Sequence, residues 1–121
     1  MRPAALVFAV FACVAIAAIG LRFLVRPTAA TRDFGVQSDD MRALTAIKGV
    51  RDITSGVVPM VVWAVAGVPA LGWALIAASI TPWADMGIVL ARDGRRAAAF
   101  GIHGLTAALL VVAGAALVAS G

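Results

Sequence analysis

The sequence predicts an all-α protein, a four-helix transmembrane bundle. Three observations predict it. Hydrophobic residues make up 63% of the chain and charged residues 13%, where soluble domains run nearer a half and a quarter. Mean hydropathy is +1.03. Four apolar runs reach or approach the roughly 20 residues that a helix needs to cross a bilayer. The length of 121 residues leaves room for one integral membrane domain.

The first span covers about residues 3–26, with Pro3 suited to a first helical turn. Arg2 ahead of a long apolar run also fits a signal peptide, and "VFAC" partly resembles a lipoprotein cleavage site. The run is long for a signal segment and three more spans follow, so a retained helix is the expectation. Cys13 lies inside this run. A lone thiol in apolar surroundings makes no internal disulfide and is unreactive.

A polar loop, "RPTAATRDFGVQSDD", is expected next. Ser38 suits the N-cap of the second helix, and Asp39 and Asp40 suit its positive dipole end. That span covers about residues 39–67. "GVPALG" reads as an uncharged tight turn. The third span covers about residues 69–92, "RDGRR" turns the chain, and the fourth fills about residues 97–120.

Four spans put both termini on one side. Arg22, Arg26, Arg32, Arg42, Lys48, Arg51, Arg92, Arg95 and Arg96 lie toward the other side, with only Arg2 at the termini. The positive-inside rule then predicts a multi-pass protein of the cell membrane, its charged loops cytoplasmic and its termini outside. The same orientation signal accounts for the formal charge of +4. No aromatic-basic platform or nucleic-acid motif accompanies it, so nucleic acid is not an expected partner. Trp63 and Trp73 flank the uncharged turn, where an interfacial aromatic belt belongs, although they also serve as apolar bulk.

The charges within the spans are the chemical feature. Counted from the outer ends, Asp52 lies about 15 residues from Gly67, Asp85 about 16 from Pro69, and His103 about 15 from Val118, or roughly 23 Å at 1.5 Å per residue. Arg22 comes slightly deeper on the first span. Lys48, Arg51, Asp52 and Ser55 share an arc of about 100°. Charges at such depth cost about 2.5–3.5 kcal/mol each on insertion scales and normally face a bundle interior in pairs. Asp52 is expected to pair with Lys48 or Arg51, and Asp85 with a basic residue of a neighbouring helix. Pro59 and Pro82 remove the hydrogen bonds to the Ser55 and Ala78 carbonyls. Gly49, Gly56, Gly87, Gly101 and Gly104 allow close packing or leave space for a ligand.

One histidine and two carboxylates could form a facial metal triad, but three neighbouring cations and the lack of metal-ligand spacing argue against a metal. No phosphate loop, nucleophile elbow or other cofactor motif is present. General acid–base work fits better. Histidine is the side chain whose ordinary titration lies nearest neutral pH, and a carboxylate can orient it or act beside it. Asp52, Asp85 and His103 are the candidate catalytic residues. Arg22, Lys48 and Arg51 are the candidates for holding an anionic or carbonyl oxygen of a substrate.

"RFLVRPTAATRDFGV", "IKGVRDITSG", "ADMGIVLARDG" and "AAAFGIHG" together resemble a family of small membrane proteins catalogued as domain of unknown function 4267. The resemblance runs from about Arg22 to His103, with the KGVRD block and the HG step its most specific parts. It implies a four-helix membrane protein and assigns no reaction. The layout is also similar to other small four-helix families such as the DoxX-like proteins, an analogy of fold alone.

The leading expectation is a small membrane enzyme of isomerase, cyclase or hydratase type, or a binder, that takes an amphiphilic molecule into a cytoplasm-facing charged pocket. The alternative is a structural or accessory subunit that binds another membrane protein or a second copy of the chain. Transport ranks below both, because "LLVVAGAALVA" offers no polar steps onward.

Overall fold

The computed structural model describes residues 2–37 and 39–121, without the side chains of Arg2, Ala5, Ala9, Val10, Ala12 and Cys13. Ser38, the expected N-cap, and the thiol of Cys13 therefore lie outside the described residues. Among those described, all regular structure is helical. The chain divides into two compact units, Met1–Lys48 and Gly49–Gly121.

In the first unit, α1 (Arg2–Val25) is followed by α2 (Pro27–Phe34). The sequence predicts a polar loop where α2 stands. Pro27 explains both the break and the restart. A residue before proline is pushed out of the α region, and Arg26 sits at φ −133°, ψ 67°. Proline itself suits the first helical position. Gly35 ends α2 at φ 111°, a left-handed conformation that glycine adopts without cost. The two helices pack together through an ion pair, Arg22 Nη2 to Asp33 Oδ2 at 2.5 Å. The rings of Phe23 and Phe34 meet edge to face with centroids 6.2 Å apart. Thr31 is buried and donates its hydroxyl to the Pro27 carbonyl at 2.7 Å.

Helix α3 (Met41–Ala66) runs from one unit into the other. Asp40 caps it, its Oδ1 accepting from the Ala43 amide at 3.0 Å, which satisfies one of the donors left open in a first turn. Pro59 lies within the helix and does not end it. Gly67 ends it at φ 85°.

The rest of the second unit is a helical hairpin. Its first arm, Val68–Ala91, comprises α4 (Val68–Ala78) and α5 (Ile80–Ala91). The interruption at Ser79 follows from Pro82, which cannot donate to the Ala78 carbonyl. Buried Ser79 turns its hydroxyl onto the Ile76 carbonyl at 2.7 Å. The second arm, Arg96–Ser120, comprises α6 (Arg96–Ala98), a π-helical segment (Ala99–Gly104) and α7 (Leu105–Ser120). In the connection, the Gly94 amide donates to the Val89 carbonyl at 2.8 Å and the Asp93 amide to Leu90 at 3.4 Å. Asp93 takes the left-handed position at φ 54°. This is a Schellman ending, which uses up carbonyls at a helix terminus.

The arms run antiparallel and touch backbone to backbone. A Cβ placed on Gly72 would lie 2.6 Å from the Gly114 carbonyl oxygen, and one on Gly114 would lie 2.7 Å from that of Gly72. Gly104 faces Met86 farther along. By contrast, a Cβ on Gly49, Gly56, Gly87 or Gly101 meets nothing within 4 Å. Of the two expected roles, close packing or open space, these four show open space, and the closest backbone approach is at Gly72 and Gly114.

Little apolar side chain is buried. Ala30, Ala99 and Ala107 are the buried hydrophobic residues among those described, while large side chains such as Leu24 and Val65 point outward. A water-facing surface of that kind would be anomalous. Lipid is its natural solvent.

Candidate functional site

Three of the residues singled out from sequence come together in the second unit: Arg51, Asp52 and Asp85. Arg51 and Asp52 are neighbours on α3, and Asp85 stands on α5, one turn past Pro82. The Arg51 Nη2 donates to both carboxylate oxygens of Asp85 at 3.3 Å. The same nitrogen lies 3.4 Å from Asp52 Oδ1. The pairing of Asp52 with Arg51, and of Asp85 with a base on a neighbouring helix, is thus present in one shared cation.

The geometry of that cation matters. Charge-assisted N–H···O bonds normally run about 2.7–2.9 Å. All three contacts here are longer, and all three leave from one nitrogen. The Nε and Nη1 groups of Arg51 have no partner among the described residues. The Asp85 side chain is 17% exposed, whereas those of Arg51 and Asp52 are 46% and 49% exposed. Both forks of a guanidinium include Nη2, so what remains for another acceptor is single donation from Nε or Nη1.

The backbone around this cation is also irregular. The Ser55 hydroxyl donates to the Arg51 carbonyl at 2.9 Å, and the Ser55 carbonyl has no amide at Pro59 to accept from. His103 is half-buried in the π-helical segment, which packs against α5. π-Helical turns are rare and frequently mark functional sites. Thr106 donates to the Ile102 carbonyl at 2.6 Å at the end of this segment. No hydrogen bond or ion pair to His103 occurs among the described residues. No group of three His, Cys, Asp and Glu side chains able to hold a metal ion occurs among them either.

Arg22 and Lys48 belong to the first unit. Arg22 is paired with Asp33, and the two line a cleft with Ile19, Phe23, Ala30 and Phe34. Lys48 lies on α3, one turn before Asp52. Sequence reasoning gave Asp33 no role. The signal was there, since Arg22 and Asp33 flank a helix break at Pro27 that folds the chain back.

Three helices among the described residues are long and apolar enough to cross a bilayer: Met41–Ala66, Val68–Ala91 and Arg96–Ser120. With an all-helical fold and an apolar exterior, they define an integral membrane protein. Within that class, the chain belongs to the family described as domain of unknown function 4267, whose model matches residues 13–117. No curated protein and no solved structure gives a significant match.

Proposed function

We propose that this protein binds the polar end of a small amphiphilic molecule at Arg51, between Asp52 and Asp85. The observation that carries the reading is the part-used guanidinium of Arg51: three long contacts, all through Nη2, with Nε and Nη1 left as donors. A closed ionic clasp would use two donor nitrogens per carboxylate at shorter distance. Guanidinium donors set among apolar helices favour an anionic or carbonyl oxygen on an otherwise apolar ligand. Asp52, with about half of its side chain exposed, is placed to accept from a hydroxyl or amine on the same ligand.

In this reading α1 supplies a fourth span, and the basic segments face the cytoplasm. The ligand enters from that leaflet. Turnover, where it occurs, falls to Asp85 and His103 as proton-transfer groups, and binding by Arg51 precedes it.

The test is extraction in mild detergent followed by mass spectrometry of whatever stays bound. Wild-type protein should carry an amphiphile with an oxygen-bearing polar end. Arg51→Gln and Asp85→Asn should lower its occupancy by about tenfold, the size of one hydrogen bond to a charged group. Equal occupancy in all three proteins would overturn the reading. A second membrane protein, retained by wild type and released by Arg51→Gln, would make the chain an accessory subunit instead.

A further inference from the structure

A second polar feature lies at the hairpin connection. Leu90, Asp93, Gly94, Arg96 and Phe100 line a cleft of about 380 Å³. Arg92 and Arg95 lie at the same turn and are exposed, as is Arg96. None of the three arginines has an ion-pair partner among the described residues. With Asp93 the turn carries three positive charges and one negative. The other end of the hairpin, from Gly67 to Pro69 and from Val118 to Gly121, carries no charged side chain.

We propose that this turn is a binding site for an anionic phospholipid whose headgroup carries hydroxyls. Charge complementarity selects the phosphate. Arginine donates in a planar fork that matches phosphate oxygens, and basic residues where a helix leaves the membrane attract anionic lipid. The first-turn amides of the Arg96–Ser120 helix add donors, because no side chain caps Arg95 or the residues after it.

Asp93 supplies the selectivity. A carboxylate beside a phosphate site is unfavourable unless it accepts a hydrogen bond from the ligand, and a glycerol or inositol hydroxyl provides one. Leu90 and Phe100, the latter 54% exposed, form an apolar wall for the glycerol backbone and the first methylenes. The turn is also preorganised. A Cβ on Gly94 would lie 2.7 Å from Val89 Cγ1 and 2.9 Å from its carbonyl oxygen, so this glycine lets the chain fold tightly onto α5.

A lipid is favoured over a soluble anion or a nucleic acid by position. The arginines terminate two helices of membrane-spanning length and hydropathy, where headgroups are the abundant phosphates.

Native mass spectrometry of the full chain tests this, with short-chain phosphatidylglycerol, phosphatidic acid and phosphatidylcholine and with inorganic phosphate as probes. Phosphatidylglycerol should be retained in preference to phosphatidylcholine. Each Arg→Gln substitution at 92, 95 or 96 should cost about fivefold in that preference. The triple Arg→Lys variant should keep most of it, which separates loss of charge from loss of fold. Asp93→Ala should strengthen retention of phosphatidic acid, by removing the repulsion, and reduce the preference for phosphatidylglycerol over it. Equal retention of the charged and zwitterionic lipids would overturn the proposal. So would competition by inorganic phosphate at equal concentration, which would make the site one for a free anion. Displacement of the lipid by an oligonucleotide would reassign it to nucleic acid.

Discussion

Two contacts join neighbouring helices in the second unit, and they work by opposite means. Between α4 and α7 the backbones touch at Gly72 and Gly114, with no charge involved and no space left for a methyl group. Between α3 and α5 the join is one guanidinium reaching two oxygens at 3.3 Å. In lipid the hydrophobic effect does not drive helices together, so close packing and polar contacts must do it. The hairpin uses the first and is rigid. Helix α3 uses the second. Arg51 and Asp52 lie on the helix joined by polar contact, whereas Asp85 and His103 lie on the hairpin.

The largest effect should come from attacking the rigid contact. Gly114→Ala places a methyl 2.7 Å from the Gly72 carbonyl and from the Ile76 Cγ1 atom. Backbone cannot yield as a flexible side chain can. The substitution should cost about 3 kcal/mol, the upper range for overpacking. Thermal unfolding in a fixed detergent would measure it. A change below about 1 kcal/mol would mean that the hairpin is not held by this crossing.

Breaking the other contact should matter less for stability. Polar contacts between membrane helices contribute about 0.6 kcal/mol on average and about 1.7 at most, and this one is long. Arg51→Gln and Asp85→Asn should each shift stability by no more than this. Their double-mutant coupling should be equally small. A coupling of about 3 kcal/mol would instead identify a structural clasp and count against a ligand site.

Much of this fold was legible from residue order, and the reasons are local. Long apolar runs specify helices whatever their neighbours, since backbone groups in lipid must satisfy one another. Asp52, Arg51 and Asp85 could be grouped by counting residues along helices, because unpaired charges in apolar surroundings must find each other. Helix α2 could have been read as well. Proline at its start and glycine at its end are the usual punctuation, but the polar composition of 26–40 outweighed them. The π-helical segment around His103 could not be read. Its two glycines permit it, yet the choice between α and π hydrogen bonding depends on packing against α5. The glycines show the same limit. Gly72 and Gly104 look alike in sequence to Gly49 and Gly87, and only the partner helix decides which are contacts. Phe34-Gly35-Val36 and Phe100-Gly101-Ile102 share a Phe-Gly-aliphatic pattern, yet their backbones differ. Gly35 ends α2, while Gly101 lies inside the π-helical segment.

That limit yields the smallest and most discriminating prediction. Gly87 lies on α5, two residues past Asp85, and a Cβ there meets nothing within 4 Å. If glycine served packing on this face, Gly87→Ala would destabilise as Gly114→Ala does. Where space is open, alanine instead removes backbone freedom from the unfolded chain and improves helix propensity. Gly87→Ala should therefore raise stability, by about 0.5–1 kcal/mol. It should leave the α4–α7 crossing untouched, so in the double variant with Gly114→Ala the two effects should add within about 0.5 kcal/mol. Destabilisation by Gly87→Ala alone would place a further surface against α5, a second chain or a ligand body, and would make the face carrying Asp85 an occupied interface.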